Sequence, residues 1–244
     1  MKKTLLTLSS VFALLVICLP GRAQEASPEL QAFQDAAGER AILFRGKQAA
    51  RYSFPANGNP YWSKAAYEPG DVTFEGNLYR NVQLNIDAVE QCALVQIASS
   101  PFAVALAPAL TPSLTMGGRR FEGFGPGEAL PEGFYEIIGQ GPEKVYKHVD
   151  KVLNSNVGNH NGETIGYVDE NYRADVMRHF AIHRTYYFRD KDGNFSRIKN
   201  RRALIRKFPD RQKEIRRAVR DALSNSSYRD FDSVAEVILY TASR

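Results

Sequence analysis

Cysteine is almost absent. The 244 residues hold only Cys18 and Cys92, and Cys18 falls inside an N-terminal leader. A processed chain therefore has one thiol and no intrachain disulfide, so its stability must come from packing. Cys92 lies in the apolar run Cys92-Ala93-Leu94-Val95. That is the setting of a small buried hydrophobe, because a nucleophilic thiol needs polar neighbours to stabilise its thiolate. Histidine is also scarce, with four in all. On a helix, His179 and His183 would share one face and could hold zinc. The segment His-Phe-Ala-Ile-His lacks the glutamate of the His-Glu-x-x-His pattern. On a strand the two would sit about 13 Å apart, too far for one ion. His148 and His160 have no cysteine or acidic partner at a familiar spacing. The sequence implies no metal and no cofactor.

Other chemical signatures are missing too. No Gly-x-Ser-x-Gly elbow occurs. The glycines at 117, 118, 123, 125 and 127 lack the Lys-Ser/Thr and the strand-to-helix context of a phosphate-binding loop. Asp190, Asp192 and Asn194 alternate like the start of a calcium loop. The glycine is at 193, and Arg201 stands where the closing glutamate belongs, so a hairpin turn is expected instead. Sugar hydrolysis would need paired carboxylates about 5–10 Å apart. Glu132 with Glu136, or Asp169 with Glu170, are nominal pairs that nothing in the sequence brings together. No catalytic residue is assigned. A hydrolase with a site not recognisable from sequence stays as the alternative reading.

The chain does carry an export signal over residues 1–23. Lys2 and Lys3 precede an apolar run over residues 5–19, interrupted by Thr7, Ser9 and Ser10. That run is too short and polar to serve well as a membrane span. Gly21-Arg22-Ala23 places small residues for cleavage before Gln24. Val16 and Ile17 stand where a lipobox has small residues, which argues against lipidation at Cys18. No transmembrane span is expected after cleavage. The leader holds three of the 32 basic residues and no acid, leaving 29 basic against 27 acidic residues. Most of the positive charge is local. Residues 184–220 carry 14 Lys and Arg against four acids. Within that stretch Arg201, Arg202, Arg206, Lys207, Arg216, Arg217 and Arg220 form a candidate patch for an anion or a partner. Such a patch attracts anionic lipid or an acidic protein surface, and salt weakens it. A solvated helix face is the plain alternative. Arginines and aromatics interleave at Tyr186, Tyr187, Phe188, Arg189, Phe195 and Arg197, a pattern compatible with base stacking. Export argues against nucleic acid as a partner.

The 26 Phe and Tyr residues lean towards β structure. Residues 24–60 are expected to hold a short helix, with Ser27 as cap, Pro28 inside it and Gly38 after it. Short strands at 41–44 and 51–54 should follow. Residues 61–199 read as an antiparallel β domain. The 72–74 strand turns at Gly76-Asn77 into a return strand, with Val82, Leu84 and Ile86 on one face. Strands follow at 92–98, 102–107, 119–124, 134–138 and 144–153, the last preferred to a helix because a tight glycine turn feeds it. A polar loop at 154–171 leads to a strand at 177–189. Asp192-Gly193 closes a hairpin. Residues 200–244 are helical, with Asn200, Asp210 and Asp230 as caps and Pro209 as a break.

Three stretches, GDVTFEGNLYRNVQLNID (70–87), GFYE (133–136) and residues 186–210, resemble a group of small exported β-rich proteins of Gram-negative cell envelopes whose function is uncharacterised. The resemblance spans roughly residues 42–241. Asn85 departs from it, where the family has an aromatic. It implies an envelope location and β architecture and supplies no catalytic residues. The expected fold is α+β: an antiparallel twisted sheet, a sandwich or half-open barrel, with C-terminal helices on the same domain. The expected role is a non-enzymatic exported binding or accessory module for an amphiphilic or anionic ligand or a protein partner.

Overall fold

The computed structural model describes residues 32, 36–38, 41–157, 176–224 and 230–244. The expected leader, the Ser27 cap and residues 158–171 of the expected polar loop lie outside them; residues 154–157, expected in that loop, are instead strand, paired with 176–179. Among the described residues eleven strands form one antiparallel sheet, which does not close, with helices at the C-terminus. In chain order the strands are β1 (Lys47–Gln48), β2 (Glu68–Phe74), β3 (Asn77–Asp87), β4 (Cys92–Gln96), β5 (Ala103–Leu106), β6 (Ser113–Met116), β7 (Arg119–Phe124), β8 (Gly133–Ile138), β9 (Lys144–Val157), β10 (Val176–Arg189) and β11 (Phe195–Ile198). Their spatial order is β1-β5-β4-β3-β2-β6-β7-β8-β9-β10-β11. Two meanders therefore meet along a single seam, β2 against β6. Gly70 sits in that seam. A Cβ there would lie 1.9 Å from the Thr115 carbonyl oxygen, so only glycine lets the two strands pair.

The sheet curls. β3 and β9 are five places apart in strand order, yet the Lys151 amide donates to the Ala88 carbonyl just past β3 at 2.9 Å. Gln91 Nε2 also reaches the Val149 carbonyl at 3.1 Å. The hollow of the curl is filled by Leu43, Trp62, Leu84, Ile86, Phe121 and Phe134, none more than 5% exposed. Trp62 meets Phe121 edge to face with centroids 5.3 Å apart, a geometry aromatic rings prefer.

Three helices cover one end of this same face: α1 (Arg201–Ile205), α2 (Gln212–Leu223) and α3 (Phe231–Ser243). Ile138, Val145, Phe188 and Ile198 of the sheet pack with Leu204, Ile215, Val219, Val234 and Ile238 of the helices. The helix starts follow from their caps. Asn200 Oδ1 accepts from the Ala203 amide at 3.0 Å, and Asp230 Oδ1 from the Ser233 amide at 2.8 Å. On the sheet's other face Tyr135, Tyr146 and Leu130 form an aromatic cluster with Phe124, Tyr187 and Phe195.

Several expectations need correcting. Residues 41–44 and 51–54 are not strands. Ile42–Phe44 is a 3-10 turn, in which the Phe44 and Arg45 amides bond back to Ala41 and Ile42 and Leu43 is driven into the core. The β2–β3 turn is Glu75-Gly76, one residue earlier than expected, with φ values of 48° and 79° at its two residues. Both angles suit a tight hairpin turn, which leaves Asn77 free to pair with Phe74. Asp210 does not cap α2. Pro209–Arg211 is a 3-10 turn, and Arg211, without a side-chain cap bond, occupies the cap position. β6 falls between expected elements and is an additional strand.

Candidate functional site

The charged end of the molecule is built on three strands. Reading along one face, β8 presents Phe134, Glu136 and Ile138, and β9 presents Val149, Lys147 and Val145. Phe134 and Val149 belong to the curl's core, Ile138 and Val145 to the core under the helices. Between the two cores the register sets Glu136, Lys147 and Tyr186 side by side across β8, β9 and β10. Lys147 Nζ lies 3.1 Å from Glu136 Oε2 and also donates to Asp232 of α3. The Tyr186 hydroxyl donates to Asp232 at 2.8 Å. Burial, and then its bond to that carboxylate, pushes the Tyr186 phenol well above its usual range. This row fastens the start of α3 to the sheet.

Beside it a cleft of about 760 Å³ opens between the β7–β8 strands and α3, lined among others by Arg120, Glu136, Gly139, Glu236, Leu239 and Tyr240. Arg120 is tied to the Gly139 carbonyl at 2.6 Å. The Glu236 carboxyl is held above its usual range by burial and then by the carboxylates of Asp232, Asp230 and Glu136. A two-carboxylate hydrolysis needs two free groups of different basicity. Glu136 and Asp232 are both committed to Lys147, so neither is a free partner for Glu236. Glu132 is exposed on the loop before β8 and does not join them, and Asp169 and Glu170 lie outside the described residues.

The seven cations singled out in the sequence are all exposed. Arg201 and Arg202 stand on α1, Arg206 and Lys207 just after it, and Arg216, Arg217 and Arg220 on α2. Lys213 joins them. Lys213, Arg216, Arg217 and Arg220 follow the spacing of one helix face, opposite the buried Ile215 and Val219. That spacing was visible in the sequence, but Lys213 is reached only by extending the stripe one turn back. Four positive charges over two helical turns span roughly 10 Å. Few acids offset them. Arg217 and Asp221 lie 4.0 Å apart and are 84% and 69% exposed, a pair that solvent largely screens. Glu214 is taken by Arg211, whose guanidinium also donates to the Ala242 carbonyl at 2.9 Å. Lys207 is partly engaged, its ammonium 5.8 Å from the Phe188 ring centre.

The other sequence candidates are placed elsewhere. The aromatics of the interleaved stretch are not a stacking platform. Tyr187 and Phe195 pack in the aromatic cluster, Phe188 lies under the helices and Tyr186 is bound to Asp232. Asp190 caps its hairpin, accepting from the Asp192 and Asn194 amides at 3.0 and 2.8 Å. His179 is half-buried and His183 exposed on β10. His148 stacks on Tyr135 with ring centres 4.7 Å apart, and burial lowers its pKa. Among the described residues no three His, Cys, Asp or Glu converge as for a metal ion. Burial pushes the Cys92 thiol up to about 12, far from the range of a nucleophile. Among the described residues no helix is long and apolar enough to cross a membrane. No family model, curated protein or solved structure matches this chain, so its reading rests on its own residues.

Proposed function

We propose that the protein is a non-enzymatic exported module of the cell envelope that binds an anionic surface through the outer face of α1 and α2. The observation carrying this reading is the Lys213-Arg216-Arg217-Arg220 stripe, exposed and barely neutralised on a helix whose opposite face is buried. The filled hollow of the curl favours surface recognition over enclosure of an apolar ligand. The leader and the family resemblance support export to the periplasm or beyond. No large apolar side chain of α1 or α2 is among the exposed ones, so the contact is electrostatic rather than inserted. Anionic lipid headgroups and acidic protein surfaces share this chemistry.

Replacing Arg202, Arg206, Arg216 and Arg217 together by Gln tests the reading. Each cation near an anionic membrane is worth about 1 kcal/mol, so binding to phosphatidylglycerol vesicles should fall by roughly a hundredfold or more. The wild-type binding should also weaken with salt. A parallel titration with polyglutamate separates a lipid source from an acidic polypeptide. If the wild-type protein binds neither probe, or the variant binds as well, the stripe is solvated surface.

A further inference from the structure

The outer edge of β10 is interrupted. β10 pairs with β9 along all of its 14 residues. On its other side β11 covers only residues 186–189. At the far end Asn57 forms a parallel bridge, donating to the Arg178 carbonyl at 2.8 Å and accepting from the Phe180 amide at 3.1 Å. These bonds fix which groups face outward. The Arg178 carbonyl and Phe180 amide point away from β9, as does the Asp190 amide that meets Asn194. The β9–β10 register runs without a shift, so every even residue of β10 presents its amide and carbonyl outward. Between the two covers lie the Phe180 carbonyl and both main-chain groups of Ile182 and Arg184. Among the described residues none of these has a backbone partner.

The slot is roughly 13 Å long, the length of a four- or five-residue strand. Ile182 is 45% exposed at its centre, and His183 and Arg184 are exposed beside it. We infer that this gap is a docking slot for a short extended segment of a partner protein, one that carries acidic side chains. The main chain of β10 supplies donors and acceptors for strand addition, and Ile182 supplies an apolar contact. Charge sets the choice of occupant. Arg178 and Arg184 flank the slot, with His179 and His183, and the nearest acid in the ladder is Asp150, opposite His183. A second copy of this chain would set the same arginines against them, and like charges across strands repel. The covers at both ends also exclude a long continuous edge. This slot is separate from the α1–α2 stripe and does not depend on it.

The probe is a short acetylated peptide alternating Glu and Val, with a Lys/Val peptide as its control, added to the full chain. Backbone amide exchange at Ile182 and Arg184 should slow by about tenfold or more with the Glu peptide and not with the Lys peptide. Arg184→Glu should exchange the two preferences. Ile182→Pro removes the central donor at an edge position that tolerates proline, and should abolish the protection while the melting curve holds. If Ile182→Pro fails to fold, the Arg184→Glu exchange of preference decides alone. Amides that respond to neither peptide, or equally to both, overturn the inference. So does protection that needs no peptide and grows with protein concentration, which would make a second copy the occupant.

Discussion

Two lysines four residues apart on β9, Lys147 and Lys151, each hold a cover on the sheet, and they do it by different chemistry. Lys147 lies under α3, between the carboxylates of Glu136 and Asp232. Lys151, four residues on along the same face, is only 4% exposed and among the described residues meets no carboxylate directly. Its ammonium donates to the Asn59 carbonyl at 2.9 Å, to Asn59 Oδ1 at 3.3 Å and to the Tyr61 carbonyl. Those oxygens belong to the segment that runs from Asn57 on β10 to Trp62, whose amide donates to the Ile86 carbonyl of β3 at 2.8 Å. Burial, and then the charge of Arg184, lower the pKa of Lys151, while Asp87 opposes the shift. One cover is thus held by ion pairs and the other by a cation filling a ring of neutral oxygens. The helical cover should respond to charge and salt. The segment at 57–62 should respond to loss of the donor itself.

The comparison breaks most sharply at Lys151. Lys151→Met keeps the aliphatic stem but leaves the Asn59 and Tyr61 oxygens unsatisfied in a buried place. Loss of about 2–3 kcal/mol of stability is expected by denaturant titration, with little dependence on salt. Less than 0.5 kcal/mol would mean that water replaces the ammonium. Lys147→Met should cost less, about 1–2 kcal/mol, because Asp232 keeps the Tyr186 hydroxyl and is 30% exposed, so solvent screens the carboxylate left behind. Adding Glu136→Gln should recover part of that loss in a double-mutant cycle. Purely additive losses would show that the row is not coupled.

The smallest effect concerns Glu236. Its carboxyl is raised above the ordinary 4.5 by burial and by neighbouring acids, so its ionised form is disfavoured when folded. The contribution of a raised carboxyl is fully present below the unfolded pKa and is lost as pH rises through the folded value. Glu236→Gln should therefore raise the Tm slightly at pH 7 and leave it unchanged below about pH 4. An equal rise at both pH values would point to a packing effect instead.

What the sequence allowed to be read depended on locality. The hairpin at Asp192-Gly193, the Asn200 and Asp230 caps and the strand character of residues 144–153 all rest on neighbours in the chain. The strong Gly139–Gly141 turn settled the last. Residues 41–54 misled because Ala-Ile-Leu-Phe is apolar enough for a strand. What decides its shape is that Leu43 must drop into the curl. β6 has only Ser-Leu-Thr-Met between Pro112 and Gly117, too short for alternation to show, and it is held by pairing with β2 and β7. The cationic stripe was legible because helical spacing is local. The Glu136–Lys147–Tyr186–Asp232 row was not. It needs the registers of three strands and a contact between residues 85 apart in sequence.

The single seam between β2 and β6 also orders events in time. The strands of the first meander, with their hairpins, are complete by residue 106, and β6 begins at residue 113. Until β6 has been made, the outer edge of β2 is an unpaired template, and Gly70 leaves it with no side chain at the point of closest approach. The glycine that makes the finished sheet continuous is thus also the place where an unfinished chain is most open to the wrong strand. The interval of vulnerability is set by how soon the next ten residues arrive, the last of them Met116 opposite Gly70.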